Sequence, residues 1–310
     1  MKLLGKFIGS KPASQKPPAV APQDVAARKA VPVKRDIFPY RVGALTDRGA
    51  ERARNEDALF CMQTVLSAES ESLPFGIFAI ADGLGGHEDG QIASELTIRA
   101  VSSYLLQTVY VPLAAGEGQN AAGVPLNESF TNAIELANRA VRQNTHGGGS
   151  TLTAAILFDR TAYIVHLGDS RAYLINEGTI TQLTHDHSLG GRLMEIQDLS
   201  AEEVSQLPGR HTLYKALGQP ALPEPDIHYH SLAPTAHLLL CSDGLWGFVS
   251  QQDILEAFAA CGDPQSICTR LLDLALTNGS DDNISMIVLL SAHGHAKPGA
   301  SRVGWYESDL

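Results

Sequence analysis

Residues 75–87 read FGIFAIADGLGGH, an apolar run that ends in an aspartate and a cluster of glycines. The run does not alternate strictly between apolar and polar residues, so it predicts a strand that is covered on both faces. Residues 237–240, HLLL, follow the same pattern. Such strands need a layer on each side, so the two runs indicate strands that lie between helices and a second sheet.

The rest of the sequence supplies both kinds of element. Short apolar runs rich in β-branched residues and bounded by turn residues predict strands. Longer segments with helical periodicity predict helices. Few helices separate neighbouring strands, so we expect an α+β fold with antiparallel sheets inside and helices outside. The strands are expected near 41–48, 57–64, 75–82, 151–158, 161–168, 170–176, 226–232, 236–242 and 283–291, and the helices near 89–110, 127–145, 251–260 and 264–277.

Composition divides the chain into three parts. The first 38 residues are rich in proline, alanine and lysine and predict a disordered basic leader. Residues 1–36 carry eight Lys or Arg and two Asp, a charge of +6. Because the net charge of the whole chain is −11, the remaining residues carry −17. A domain is expected at 39–292, with a polar flap at about 185–217, followed by a flexible tail at 293–310.

The bulk numbers exclude several classes of protein. A net charge of −11 argues against a nucleic-acid surface, which needs a basic face. The four cysteines show no CxxC spacing, which indicates a reduced, cytoplasmic compartment. None is followed by arginine six residues later, so the phosphate loop of cysteine-dependent phosphatases is absent. No segment has the apolar length of a membrane span, which leaves peripheral attachment through the basic leader as an alternative to disorder alone.

Four acidic residues lie where an apolar strand meets a turn: Asp82, Asp169, Asp243 and Asp282. Each of them alone is typical of ordinary turn chemistry. Together they are more informative, because sheet ends gather in space and unscreened carboxylates repel one another unless cations hold them. The sequence therefore predicts a metal site built from these acids.

A fifth acid lies in the segment 52–57, which reads RARNED. In an extended chain the two-residue period places Arg52, Arg54 and Glu56 on one side. An arginine that binds anions would then lie beside a carboxylate that binds metal, and phosphate chemistry needs both. An edge strand with solvated charges is the alternative interpretation.

At this point the residues resemble a known family, the type 2C (PPM) metal-dependent serine/threonine protein phosphatases. The resemblance spans about residues 40–291, and the wording of its glycine-rich block is similar to the bacterial branch. The matching blocks are, in order, Asp47-Arg48-Gly49 with Asn55-Glu56-Asp57, Ala81-Asp82-Gly83-Leu84-Gly85-Gly86-His87, Gly149-Ser150-Thr151, Gly168-Asp169-Ser170-Arg171, Ala216-Leu217-Gly218, Ser242-Asp243-Gly244-Leu245-Trp246 and Asp282-Asn283-Ile284.

The resemblance implies a four-layer α-β-β-α sandwich, in which two central antiparallel sheets are flanked by helices. It also implies two tightly bound Mn²⁺ or Mg²⁺ ions, which fits a set of hard oxygen ligands. Asp82 would bridge the two ions. Glu56 and the Gly83 carbonyl would complete one site, and Asp243 and Asp282 the other.

The same resemblance assigns the remaining roles. Asp169 would join Asp243 in holding a third, weaker ion, and Arg52 would bind the substrate phosphate, with Arg54 as the alternative. The metals would activate water as the nucleophile, so the reaction would need no phosphoenzyme. Asp82 and Arg52 are thus the expected catalytic residues.

The general acid is left open by the sequence. Some relatives have a histidine directly after the Asp-Gly pair, where this chain has Leu84. A metal-bound water or His87 could take that role. His185 and His187 are spaced like a ligand pair, but no third His or Cys lies near them in the sequence, so structural roles are expected. Trp246 is expected to pack in the core.

The resemblance implies hydrolysis of phosphoserine and phosphothreonine on proteins, in opposition to a bacterial serine/threonine kinase. One alternative is a catalytically silent regulator that binds phosphoproteins. Because silent relatives lose ligands and every expected ligand is present here, the sequence favours an active enzyme. Another alternative, within the same fold, is a phosphatase of anti-sigma-factor antagonists.

Overall fold

The computed structural model of the protein describes residues 38–68, 71–85, 88–116, 125–197, 203–204 and 207–292. The tail expected at 293–310 and residues 1–37 of the leader expected at 1–38 lie outside the described residues. His87 also lies outside them.

Among the described residues the chain forms two sheets in which all neighbouring strands pair antiparallel. The strands are β1 (Tyr40–Asp47), β2 (Asp57–Ala68), β3 (Glu71–Leu84), β4 (Gly149–Ser150), β5 (Leu152–Phe158), β6 (Thr161–Leu167), β7 (Arg171–Asn176), β8 (Thr179–Gln182), β9 (Asp226–Ser231), β10 (His237–Cys241) and β11 (Ile284–Ser291). One sheet has the order β2-β3-β5-β6-β9, with the short β4 paired to β3, and the other has the order β1-β11-β10-β7-β8.

Along the chain, the helices lie in the connections between successive strands. Two of them begin with the capping residues that the sequence provides: Ser250 accepts a hydrogen bond from the Asp253 amide, and Asp263 accepts one from the Ser266 amide. The helices are α1 (Glu88–Leu105), which continues through a π-helical turn (Leu106–Tyr110) into α2 (Val111–Ala114), then α3 (Leu126–Asn144), α4 (Leu189–Gln197), α5 (Asp243–Trp246), α6 (Gln251–Ala260) and α7 (Pro264–Thr277).

Strand β3 shows why its sequence is apolar on both faces. Phe75, Ile77 and Ala79 pack in a buried cluster with residues of α1 and α3. The alternate residues Phe78 and Ile80 are buried in a second cluster, which contains residues of the other sheet. The side chains of one strand therefore belong to two cores, as expected from the period of two.

The second sheet is covered in the same way. Leu238 and Leu240 of β10 join the cluster between the sheets, whereas Leu239 joins a third cluster with Ile254 of α6 and Leu271 of α7. The layers are thus helix, sheet, sheet and helix. The predicted sandwich is confirmed.

Some elements differ from the sequence prediction. The β2–β3 hairpin is longer than expected, because its pairing continues to Ala68 and Glu71. Strands β4 and β8 were not expected. β4 has two residues, and the four residues of β8 are exposed or half-buried, so neither has an apolar run to mark it.

The cluster between the sheets should dominate the stability of the fold. Leu240→Ala removes a fully buried side chain from it, and we expect the free energy of unfolding to fall by about 2–5 kcal/mol. Val111→Ala, at a position that is 55% exposed, is the control and should change it by less than about 0.5 kcal/mol. Denaturant unfolding of both variants measures the difference, and equal losses would contradict the layer assignment.

Candidate metal centre

The acids expected at strand ends lie near one another in the structure. Asp82 is near the end of β3, Asp169 follows β6, Asp243 begins α5 directly after β10, and Asp282 precedes β11. The charge of the neighbouring Asp243 carboxyl helps to raise the pKa of Asp82. Carboxylate oxygens of Asp169 and Asp243 lie within 4.8 Å of each other. The structure therefore brings the strand-end acids into one cluster.

Burial and mutual repulsion raise the pKa values of four neighbouring aspartates, Asp57, Asp82, Asp169 and Asp243. Burial is the main cause in each case, and neighbouring carboxylates add to it. The pKa of Asp57 is raised to about 7 and that of Asp243 to about 6. Those of Asp82 and Asp169 are raised well above their ordinary value. The cluster thus needs positive charge if it is to be ionised at neutral pH.

Two oxygen atoms of the cluster fit a bound cation. Asp57 Oδ1 and Asp243 Oδ1 are buried and have no hydrogen-bond partner. A buried carboxylate oxygen without a partner is costly, and a cation would satisfy it. Because the donors are carboxylates and carbonyls, the set fits Mg²⁺ or Mn²⁺ and not a metal that prefers thiolates.

Glu56 and Gly83 lie together beside the first turn of α1. The Gly83 amide donates to the Glu56 carbonyl at 3.1 Å. A Cβ atom on Gly83 would lie 2.1 Å from the Gly90 carbonyl oxygen, and one on Gly90 would lie 2.2 Å from Glu56 Oε2. Gly83 therefore has no room for a side chain, and a side chain at position 90 would displace the Glu56 carboxylate, which lies between β3 and α1.

Arg52 and Arg54 take different partners. Arg52 Nη2 donates to Asp282 Oδ2 at 2.7 Å, and its Nε donates to the Asp281 carbonyl at 3.3 Å. Arg54 Nη2 instead donates to Glu88 Oε1 at 3.1 Å at the start of α1. Of the two, Arg52 is the one paired with an acid of the cluster.

Asp57 is a member of the cluster for which no role was predicted from the sequence. It lies directly opposite Asp82 in the pairing of β2 with β3, and it is 8% exposed. The Ser242 hydroxyl donates to its Oδ2 at 2.8 Å. Its place at the start of a strand, like that of the other acids at strand ends, is the signal that could have identified it.

Asn283 is a second such residue. Its side-chain nitrogen donates to the carbonyls of Arg48 and Arg54, at 2.8 and 2.9 Å, and its Oδ1 accepts from the Glu56 amide at 2.7 Å. One buried amide thus fixes the loop that carries the arginines and Glu56 against the end of β11.

Trp246 packs against the third cluster, which contains residues of α6 and α7, as expected. It also contacts the backbone of the site. Its indole N–H donates to the Asp169 carbonyl at 2.9 Å. The guanidinium of Arg171 lies 3.4 Å from the centre of the indole ring and donates to both carboxylate oxygens of Asp186, at 2.9 and 2.7 Å. This network links Asp169 to the start of the flap.

His185 and His187 do not form a metal pair. The Gly168 amide donates to His187 Nδ1 at 3.1 Å, which leaves Nε2 to face Asp226 Oδ2 at 3.1 Å. His185 is exposed, with its Nδ1 3.5 Å from Glu195 Oε1. His187 thus has a structural place, as expected.

Comparisons with known proteins agree with this geometry. A family model described as "Protein phosphatase 2C" matches residues 43–284. The serine/threonine protein phosphatase PstP of Mycobacterium tuberculosis is 32% identical over 256 residues, which is 80% of this chain but 44% of PstP. The chain thus spans less than half the length of that relative. The serine/threonine phosphatase stp of Listeria welshimeri is 32% identical over 247 residues, 79% of this chain and 93% of that protein.

Solved phosphatase structures share the fold. The S. agalactiae serine/threonine phosphatase superposes with a TM-score of 0.68 at 28% identity, over 82% of this chain and 100% of that chain. The catalytic domain of PstP in complex with two manganese ions gives a TM-score of 0.63 at 30% identity, over 81% and 97% of the two chains. The resemblance to the type 2C phosphatases and the predicted α+β sandwich are both confirmed.

The raised pKa of Asp57 predicts how the stability of the metal-free protein depends on pH. The pKa is about 7 in the fold and about 3.9 in an unfolded chain, so the folded state binds more protons. The contribution of this group to stability is therefore complete below about pH 4 and is lost as the pH rises through about 7. Asp57→Asn, which cannot ionise, should melt higher than the wild type at pH 8 and close to it at pH 4.

Thermal melting of both proteins in excess chelator at the two pH values measures this effect. Each kcal/mol recovered at pH 8 should raise Tm by about 2–4 °C. The same Tm difference at both pH values would show that the buried Asp57 carboxyl carries no charge penalty.

Proposed function

The chain belongs to the protein phosphatase 2C family, and we propose that it hydrolyses phosphoserine and phosphothreonine in other proteins with the help of divalent cations. One observation carries the proposal: the buried carboxyls of Asp82, Asp169 and Asp243 converge beside the guanidinium of Arg52. A silent phosphoprotein-binding regulator would not need to retain a complete set of acids with so large an electrostatic cost.

The proposed metal ligands are those that the family resemblance implies, and the clustering of the acids supports them. Asp82, which lies opposite Asp57 in the sheet and close to Asp243, would be a ligand of both ions. Glu56 and the Gly83 carbonyl would hold one ion, and Asp243 and Asp282 would hold the other. Mn²⁺ and Mg²⁺ both suit these ligands. The catalytic domain of PstP was solved in complex with two manganese ions, which supports a count of two here.

Asp169 and Asp243 hold a third, weaker ion in this proposal. Their oxygens lie close together, and Asp169 is fixed through its carbonyl by Trp246. The third ion has fewer acidic ligands than the bridged pair, so weaker binding is expected.

When bound, the cations supply an activated water and neutralise negative charge on the phosphoryl oxygens. The residues of the chain provide the geometry. Arg52 binds the phosphate: it is 46% exposed, and three of its five N–H groups remain after those given to Asp282 and Asp281. A planar guanidinium can donate to two phosphoryl oxygens at once and so orient the phosphorus towards the acids.

Cysteine chemistry has no place in this mechanism. Burial raises the pKa values of Cys241 and Cys268 to about 12, so their thiols stay protonated and are poor nucleophiles. The reaction is therefore a direct attack of water, without a phosphoenzyme.

The biological setting is part of the proposal. The substrates are phosphorylated proteins, the opposing enzyme is a serine/threonine kinase, and anti-sigma-factor antagonists are a narrower substrate class. No helix among the described residues is long and apolar enough to cross a bilayer. All four cysteines are free, which suits a cytoplasmic location, and the basic leader could add peripheral attachment.

Metal removal tests the proposed function. We expect hydrolysis of an aryl phosphate and of a phosphothreonine peptide to require Mn²⁺ or Mg²⁺, to stop with a chelator and to resist thiol alkylation. A phosphotyrosine peptide is the comparison substrate. Full turnover after exhaustive metal removal would overturn the proposal.

Substitutions of Asp82 and Asp169 should differ in their effect on the binding of the two tight Mn²⁺ ions. Asp82→Asn removes the bridging charge, so we expect the tight pair to lose affinity and turnover to fall by several orders of magnitude. Asp169→Ala should leave about two tight Mn²⁺ ions by calorimetry while turnover drops. Cooperative melting of both variants excludes a folding defect. Wild-type turnover of Asp169→Ala at limiting Mn²⁺, or two tight ions in Asp82→Asn, would show that these roles are wrong.

A further inference from the structure

We propose that the flap contributes a ligand, His211, to the outer cation site of Asp169 and Asp243. The flap is the segment 185–217, of which residues 185–197, 203–204 and 207–217 are described. The proposal rests on the proposed function, because it extends the third metal site by one residue. That residue comes from a different part of the chain and was not among the expected ligands.

The first observation is the distance between donor atoms. One imidazole nitrogen of His211 and one carboxylate oxygen from each of Asp169 and Asp243 all lie within 4.8 Å of one another. Ligand atoms on one cation with bonds of about 2.1 Å lie at most about 4.2 Å apart. Two atoms at the 4.8 Å limit would have to approach by about 0.6 Å to bind one ion from opposite sides.

The second observation concerns an atom that lacks a partner. Asp243 Oδ1 is buried and accepts no hydrogen bond, although it lies in a cluster of negative charge. A bound cation would provide the partner that this oxygen lacks. The site therefore has an unpaired buried acceptor in addition to a set of nearby acids.

The backbone on both sides of His211 is fixed. The carbonyl of Arg210 accepts from the Gly190 amide at 2.8 Å, and that of Thr212 accepts from the Leu189 amide at 2.9 Å. The Tyr214 amide donates to the His187 carbonyl at 2.9 Å. The strip that carries His211 is thus attached to the beginning of the flap and the first turn of α4.

The beginning of the flap is attached in turn to the sheet. Asp186 receives two hydrogen bonds from Arg171, whose guanidinium stacks on Trp246, and Trp246 binds the carbonyl of Asp169. A continuous set of contacts therefore sets the position of His211 relative to Asp169. The imidazole itself is on an exposed residue, so it can turn towards an ion without leaving a core.

The ligand chemistry favours one metal over another. Two carboxylates alone suit Mg²⁺ and Mn²⁺ equally well, whereas a neutral imidazole suits transition metals better than Mg²⁺. An outer site with His211 should therefore prefer Mn²⁺. Since one ligand belongs to the flap, an ion in this site would also stabilise the flap in the position seen here.

Calorimetric titration with Mn²⁺ and, separately, with Mg²⁺ tests the proposal on the full chain. His211→Ala should weaken the weakest Mn²⁺ binding event by about tenfold or more. Loss of a residue that only supports a metal ligand already has an effect of this size, and loss of a ligand should have at least as large an effect. The two tight events should stay unchanged, and Mg²⁺ binding should change by less than about twofold. His185→Ala is the matched control, because His185 is also an exposed flap histidine; it should bind both metals like the wild type.

The outcomes separate this proposal from the proposed function. Equal weak-site Mn²⁺ affinities in His211→Ala, His185→Ala and the wild type would overturn the role of His211 while leaving the tight pair and the phosphatase activity intact. Equal weakening by both histidine variants would also overturn it, because it would indicate a general effect on the flap. Absence of the two tight Mn²⁺ events in the wild type would instead count against the proposed function. Thermal melting of the variants confirms that they are folded.

Discussion

Repulsion among buried carboxylates is the constraint on which this structure depends. Five aspartates meet at one end of the paired sheets, and the pKa values of four of them are raised by burial and by one another. Within the described residues, the cation hydrogen-bonded to one of these carboxylates is Arg52, which is half exposed. The fold therefore holds an arrangement that is unfavourable until divalent cations neutralise it.

The two sheets make this arrangement possible because they are rigid. The register of β2 and β3 places Asp57 opposite Asp82, and the apolar cluster between the sheets fixes β3 relative to β10, where Asp243 follows. Glycines at 83 and 90 allow Glu56 to approach where a side chain would collide. The stability of the apolar layers thus offsets the cost of the acids, which is how a functional site can be less stable than its surroundings.

Much of this could be predicted from the sequence, and the reasons are physical. Asp82, Asp169, Asp243 and Asp282 each stand next to an apolar run, so the period of the strands locates them. The position of His211 was not predictable in this way, because it depends on hydrogen bonds between segments about 20 residues apart in the flap, which has no strong periodicity. The link through Trp246 could not be predicted either, since an aromatic residue after a strand is ordinarily only a packing residue.

The central claim is that Asp82 bridges two divalent cations. The most direct test is a crystal of the protein grown with Mn²⁺, in which anomalous scattering from manganese locates the ions. We expect two strong peaks, each about 2.1 Å from a carboxylate oxygen of Asp82, one of them beside Glu56 and the other beside Asp243 and Asp282. Manganese peaks that do not touch Asp82, or a single ion in the cluster, would contradict the account.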